Sequence, residues 1–262
     1  FFKGEELFKH EKYAQALPAL IKAVSLDGAY AEKAQWESKA QHVDGVFLKA
    51  KGDKDYATAY AFLTTAIGYD DEARKYDPKS LKALTRYSRN SLDETAYLLE
   101  IGDSANALKR AQTLSGVLKS AASERTFRNR SEVVVPYVQS VYMETRLSRK
   151  INAAEISRSP LLKTDGRIDD CFQLCADLLK EQDKNAAGWM ALGLVYELRD
   201  QVPLAVVCLS NAHEIDAANA LYVLLLSGYQ LRNAQVLEAL SLLSELPETF
   251  AWEPGLWFES YA

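Results

Sequence analysis

NAAGWMALGLVYELRDQVPLAVVCLSNAHEIDAA, residues 185 to 218, decides how this chain is read. Trp189, Leu192, Gly193 and Tyr196 fall at i, i+3, i+4 and i+7, and Ala205, Leu209 and Ala212 at i, i+4 and i+7. This is the period of two amphipathic helices rather than the alternation of strands. The short polar turn between them predicts an antiparallel hairpin. Gly193 and Ala205 are small where the paired helices approach closely. Trp189, Tyr196 and Leu209 are large enough to fill the gaps to neighbouring hairpins.

Working outward, the same columns return at a fixed interval. Cys171, Ala205 and Ala239 lie 34 residues apart, as do Cys175, Leu209 and Leu243, and Leu178, Ala212 and Leu246. Such a period marks a stack of equivalent units, each with an apolar face that it cannot bury alone.

These residues resemble the tetratricopeptide repeat, whose seven signature positions are filled by Trp189, Leu192, Gly193, Tyr196, Ala205, Leu209 and Ala212. An Asp216-Ala217 turn stands where the family usually has proline. Further matches are Gly4, Leu7, Tyr13, Ala16, Leu20 and Ala23 near the start, and Tyr56, Ala59, Leu63 and Ala66. Others are Gly102, Ala107 and Leu114, and Gly166, Ile168, Cys171, Cys175 and Leu178. Residues 220 to 250 keep the period with Ser227 in the glycine column and Gly228 one place late. The resemblance implies an all-α superhelical solenoid of antiparallel helix pairs. The expected organisation is an N-terminal array over 1–120, a basic, irregular or long-helix connecting segment over 121–165, and a C-terminal array over 166–262. Together they read as one continuous solenoid, a piece of a longer protein.

Helices are expected over 29–50, 54–68, 78–89, 92–101, 104–120, 136–157, 167–181, 185–199, 202–214, 218–231 and 233–246, with two more in the first 25 residues. Val133-Val134-Val135 is followed at once by Pro136, which suits the first turn of a helix. Ser159-Pro160 is expected to distort a repeat, and Trp252, Leu256, Trp257 and Phe258 to make a terminal apolar contact.

Composition narrows the function classes. The chain has 262 residues, 48% hydrophobic and 26% charged, with a formal net charge of -5. That balance argues against nucleic-acid binding by the whole domain. No apolar run is long enough for a membrane span, and three Cys form no closed disulfide set. Charge is uneven: residues 104–150 carry nine basic and three acidic residues, residues 181–262 three basic and eleven acidic.

Catalytic motifs are missing: the sequence has no phosphate-binding glycine loop, no HExxH, no Gly-x-Ser-x-Gly and no paired CxxC. Asp169 and Asp170 sit at a helix start, where carboxylates satisfy the helix end. Cys171 and Cys175 occupy core columns and read as small buried hydrophobes. A lowered thiol pKa beside a cleft would instead favour chemistry. No cofactor and no metal is expected. Trp36, in a polar stretch, is the tryptophan best suited to binding.

Two surfaces are candidates for a partner. The family's groove-facing positions fall on Met190, Leu194 and Glu197 in the best-matched repeat and on Leu221, Leu224 and Leu231 in the next. They make a mostly apolar wall suited to a peptide or an amphipathic helix. A segment of the chain itself or tighter packing is the alternative occupant. The second candidate is a basic patch of Arg125, Arg128, Arg130, Arg146 and Arg149, with Phe127 among three of the arginines.

The expectation is a non-catalytic scaffold or adaptor subunit that binds another protein or peptide, or segments of its own full-length chain. Alternatives are a helical regulatory domain of a larger enzyme and a nucleic-acid-associated factor using the basic segment, the latter disfavoured. A cytoplasmic or nuclear location accompanies this reading.

Overall fold

A computed structural model describes residues 28–53, 55–151, 166–244 and 246. Among the described residues there are ten helices and no strand. They are α1 Gly28–Gly52, α2 Tyr56–Tyr76, α3 Leu81–Glu100, α4 Ser104–Ser123, α5 Ser131–Ile151, α6 Gly166–Glu181, α7 Ala186–Leu198, α8 Val202–Ile215, α9 Ala220–Arg232 and α10 Val236–Leu243. The first expected repeat, Ser159-Pro160 and the Trp252 to Phe258 contact lie outside the described residues. The chain divides into two compact units, Phe1–Glu94 and Thr95–Ala262. That division falls inside α3.

In the second unit the quoted stretch forms the hairpin α7–α8. Asn185 caps α7 by accepting the Gly188 N–H at 2.9 Å, and Asn219 caps α9 by accepting the Leu221 N–H at 3.1 Å. A Cβ on Gly193 would stand 3.2 Å from Leu209 Cγ and 3.4 Å from the Ala205 carbonyl oxygen. The smallest residue is therefore needed where the two helices touch. Ala205, Leu209 and Ala212 are fully buried and Leu192 nearly so. Trp189 is half-buried and donates through Nε1 to the Asp183 carbonyl at 2.8 Å. Tyr196, also half-buried, meets Phe172 of α6 edge-on at 5.8 Å. Helices α5, α6 and α8 all pack on α7, and α9 pairs with α10.

The turns follow one scheme. Asp200, between α7 and α8, and Ala234, between α9 and α10, both adopt positive φ, at 58° and 60°. Gly102, between α3 and α4, does the same at 80°.

Two boundaries differ from the sequence expectation. Helix α5 starts at Ser131, five residues before Pro136, because Val133 and Val134 already donate to the Arg130 carbonyl. Val133 to Val135 are buried helix residues. Helix α3 is continuous where two helices were expected, because Ser88, Asn90 and Ser91, which read as a break, are buried within it.

Asn90 belongs to a polar ladder in the first unit. Arg86 clasps Glu37 through both terminal nitrogens at 2.9 and 3.0 Å. Asn90 donates to Asp44 at 3.1 Å, and Lys51 to Asp93 at 3.0 Å. Glu37, Asp44 and Lys51 ascend α1 as Arg86, Asn90 and Asp93 ascend α3, so the two helices run parallel. From α2, Asp70 accepts from Arg86 Nε at 2.7 Å and from Asn90 at 3.0 Å. The charge sense reverses along the ladder, with Glu37 and Asp44 on α1 at one end and Asp93 on α3 at the other. A slipped register would therefore bring like charges together.

Candidate interaction surface

The groove-facing residues of the two best repeats end in different environments. Met190, Leu194 and Glu197 of α7 are buried, whereas Leu221 and Leu224 of α9 are half-buried and Leu231 is 47% exposed. The expectation of an open wall at Met190, Leu194 and Glu197 is corrected by the packing around α7. Helix α5 lies against it, and the Tyr142 hydroxyl of α5 comes within 3.2 Å of the Tyr229 hydroxyl of α9.

Glu197 is the hub of this closure. Its Oε1 accepts from Arg146 at 2.9 Å and from Arg232 at 3.0 Å. Arg149 adds a long contact, 3.4 Å, to the Leu198 carbonyl near the end of α7, where a cation also suits the helix dipole. Tyr142, Arg146 and Arg149, at i, i+4 and i+7, thus form the stripe by which α5 engages its neighbours. Burial pushes the Tyr142 hydroxyl up to about 12, with the Glu197 carboxylate adding to it. The Tyr229 hydroxyl is also raised well above its usual range, by burial first. Both hydroxyls stay protonated and act as hydrogen-bonding groups.

The basic patch does not form as one surface. Arg146 and Arg149 lie in the last turns of α5, roughly 22 and 27 Å along its axis from its start at about 1.5 Å per residue. Arg125, Arg128 and Arg130 sit in the turn before α5 and are exposed. Phe127 between them is buried. It anchors the turn and offers no face for a base to stack on. Arg128 pairs with Asp177 at 3.3 Å and Asn129 bonds Glu181, so this turn is pinned to α6. The carboxylates there offset part of the positive charge.

The candidate chemical groups also find structural roles. Asp169, in the first turn of α6, pairs with Arg199, and Asp170 with Lys119 at 3.6 Å. Cys171, Cys175 and Cys208 are all buried. Burial pushes the Cys208 thiol up to about 12 and that of Cys175 well above its usual range, the neighbouring thiols adding to the latter. Neither presents a thiolate nucleophile at neutral pH. Trp36 is half-buried, 5.9 Å from the Tyr69 ring and with Lys39 Nζ 4.6 Å from its centre. It is therefore no open binding platform. Among the described residues no three His, Cys, Asp or Glu side chains are grouped to hold a metal ion. Nor is any helix long and apolar enough to cross a membrane.

Sequence reasoning missed Arg232, Tyr142 and Tyr229. The only signal for the first two was a polar or aromatic residue on an otherwise apolar helix face. Nothing in the sequence joins them to Glu197.

Comparison with known proteins agrees with the fold. No family model matches the chain, and no curated protein matches it. Solved structures do match. PilW, a widely conserved type IV pilus biogenesis factor, is 12% identical, with 97% of this chain and 93% of that chain covered and a TM-score of 0.50. TTC0263, a thermophilic TPR protein of Thermus thermophilus, is 16% identical over 77% of this chain and 89% of that one, with a TM-score of 0.48. YrrB, a TPR protein with an unusual peptide-binding site, is 13% identical over 84% and 86%, with a TM-score of 0.43. The likeness is one of fold: this chain is an all-α, tetratricopeptide-like array of helix pairs.

Proposed function

We propose that the chain is a non-catalytic interaction scaffold, a subunit that holds a peptide or helix of another protein along α9. The observation that carries this reading is the contrast between equivalent helices. The stripe Leu221, Leu224 and Leu231 keeps accessible apolar surface, while the matching stripe of α7 is sealed by α5. An apolar helix face on a rigid stack of hairpins offers preformed side-chain pockets and lowers the ordering cost of association. The buried thiols and the ion-paired carboxylates speak for a structural use of the groups that chemistry would need.

The test compares proteins retained from native extract by the intact chain, by Leu224→Glu plus Leu231→Glu, and by Arg125→Glu, Arg128→Glu and Arg130→Glu. All three are first matched for helicity and melting. A partner lost only with the leucine changes is expected. Loss only with the arginine changes would move the site to the turn before α5 and refute the reading.

A further inference from the structure

A different face of α9 carries Leu226 and Gln230, one turn apart. With His213 and Glu214 of α8 and Leu237 and Glu238 of α10 it lines a groove of about 520 Å³. Gln230 is only 8% exposed, and its side-chain carbonyl oxygen is buried without receiving a hydrogen bond from the described residues. Buried polar atoms normally have a partner, so this acceptor sits ready for an incoming N–H. Glu214 and Glu238 are exposed at the groove, and no Lys or Arg among the described residues lines it. Leu237 is 80% exposed, and Leu240, one turn on, 57%. The groove therefore combines a buried acceptor, two carboxylates and an apolar lip.

We propose that this groove is a second binding site, which takes an arginine side chain of a basic, apolar-flanked segment of a partner protein. The planar guanidinium presents several N–H donors in a fixed fork. One reaches the Gln230 carbonyl oxygen while the charge lies near Glu214 and Glu238, and an adjoining apolar side chain covers Leu226 and Leu237. The charges on the chain itself argue against its own C-terminal residues as occupant, since 247–262 hold three glutamates and no Lys or Arg. A second copy of this chain, offering the exposed turn with Arg125, Arg128 and Arg130, is the competing occupant that the test must separate.

The probe is a labelled decapeptide alternating Leu, Arg and Ser, read by fluorescence anisotropy against the full chain, with a Glu-for-Arg peptide as control. Saturable binding of the arginine peptide alone is expected. Glu214→Lys with Glu238→Lys, both exposed positions that leave the fold intact, should weaken it by roughly tenfold or more. Gln230→Leu should weaken it severalfold at unchanged salt dependence. Leu224→Glu with Leu231→Glu should leave it unaltered, which keeps this site distinct from the α9 stripe proposed above. Equal binding by the charge-reversed variant, binding of the glutamate peptide, or no saturation would overturn the proposal. So would self-association of the chain that Glu238→Lys abolishes, which would assign the groove to a second copy.

Discussion

The hydroxyls of Tyr142 and Tyr229, 87 positions apart in the chain, meet at 3.2 Å. They draw α5 and α9 together across α7, although neither helix is the hairpin partner of the other. The contact is a neutral hydrogen bond in a buried setting, worth about 0.5–1.5 kcal/mol net. A double-mutant cycle of Tyr142→Phe and Tyr229→Phe, followed by urea unfolding, should return a coupling of that size. A coupling of zero would mean that the two hydroxyls do not support each other.

Glu197 responds differently because it is an ion. Two guanidiniums share one of its oxygens, so each alone is partly redundant. Arg146→Met or Arg232→Met should cost modestly, the more so because both arginines retain some exposure and are screened. The double change leaves a buried carboxylate without either guanidinium and should cost about 3–5 kcal/mol. The expected result is thus more than additive. Strict additivity in denaturant midpoints would contradict the shared-oxygen geometry.

Ala234 holds a left-handed backbone, with φ of 60°, that costs an L-residue roughly 1–2 kcal/mol. Glycine removes most of that cost but gains freedom in the unfolded chain. Ala234→Gly should therefore raise stability by about 0.5–1 kcal/mol, seen as a higher thermal midpoint. Asp200→Gly should gain less, since aspartate tolerates this region better. Destabilisation by Ala234→Gly would show that the turn is not strained.

Asp70 gives the first unit a pH dependence. Burial raises its pKa from 3.8 to about 6, against the lowering influence of Arg86 and Asn90. Arg86 is shared with Glu37 and remains a cation, so it compensates Asp70 only in part. A raised folded pKa means that the folded state holds the proton more tightly. Its stabilisation is complete below about pH 4 and is lost as pH rises through 6. Asp93, raised by burial as well, acts in the same sense. Glu37 is lowered despite its burial, chiefly by its hydrogen bonds to Arg86. Its contribution is present at neutral pH and is lost only as pH falls below the usual glutamate range. Between pH 5 and 7 the Asp70 effect should dominate, so hydrogen exchange in α2 and α3 should quicken beyond the intrinsic pH effect. Asp70→Asn should flatten most of that response, and an unchanged slope would contradict it.

Much of the fold was legible because the 34-residue columns are a one-dimensional signal. Gly193 against Leu209 is local chemistry, readable from the spacing of two adjacent helices. The breaks in the reading share a cause. Asn90 resembled a loop residue because its partners, Asp44 and Asp70, lie far away in sequence. Arg146 resembled part of an exposed patch because Glu197 lies 51 positions on. Phe127 stood among the arginines of the expected patch because nothing local shows that it points inward. The groove at Gln230 was invisible for a related reason, since its lining comes from three helices and its mark is a missing bond.

The most direct test of a scaffold that binds along α9 is a photo-crosslinking amino acid placed singly at Leu231 and at Arg130 in the intact chain, within its native cell. The account requires a discrete crosslinked protein from position 231 and none from 130. A product from 130 alone, or none from either position with the fold preserved, would contradict it.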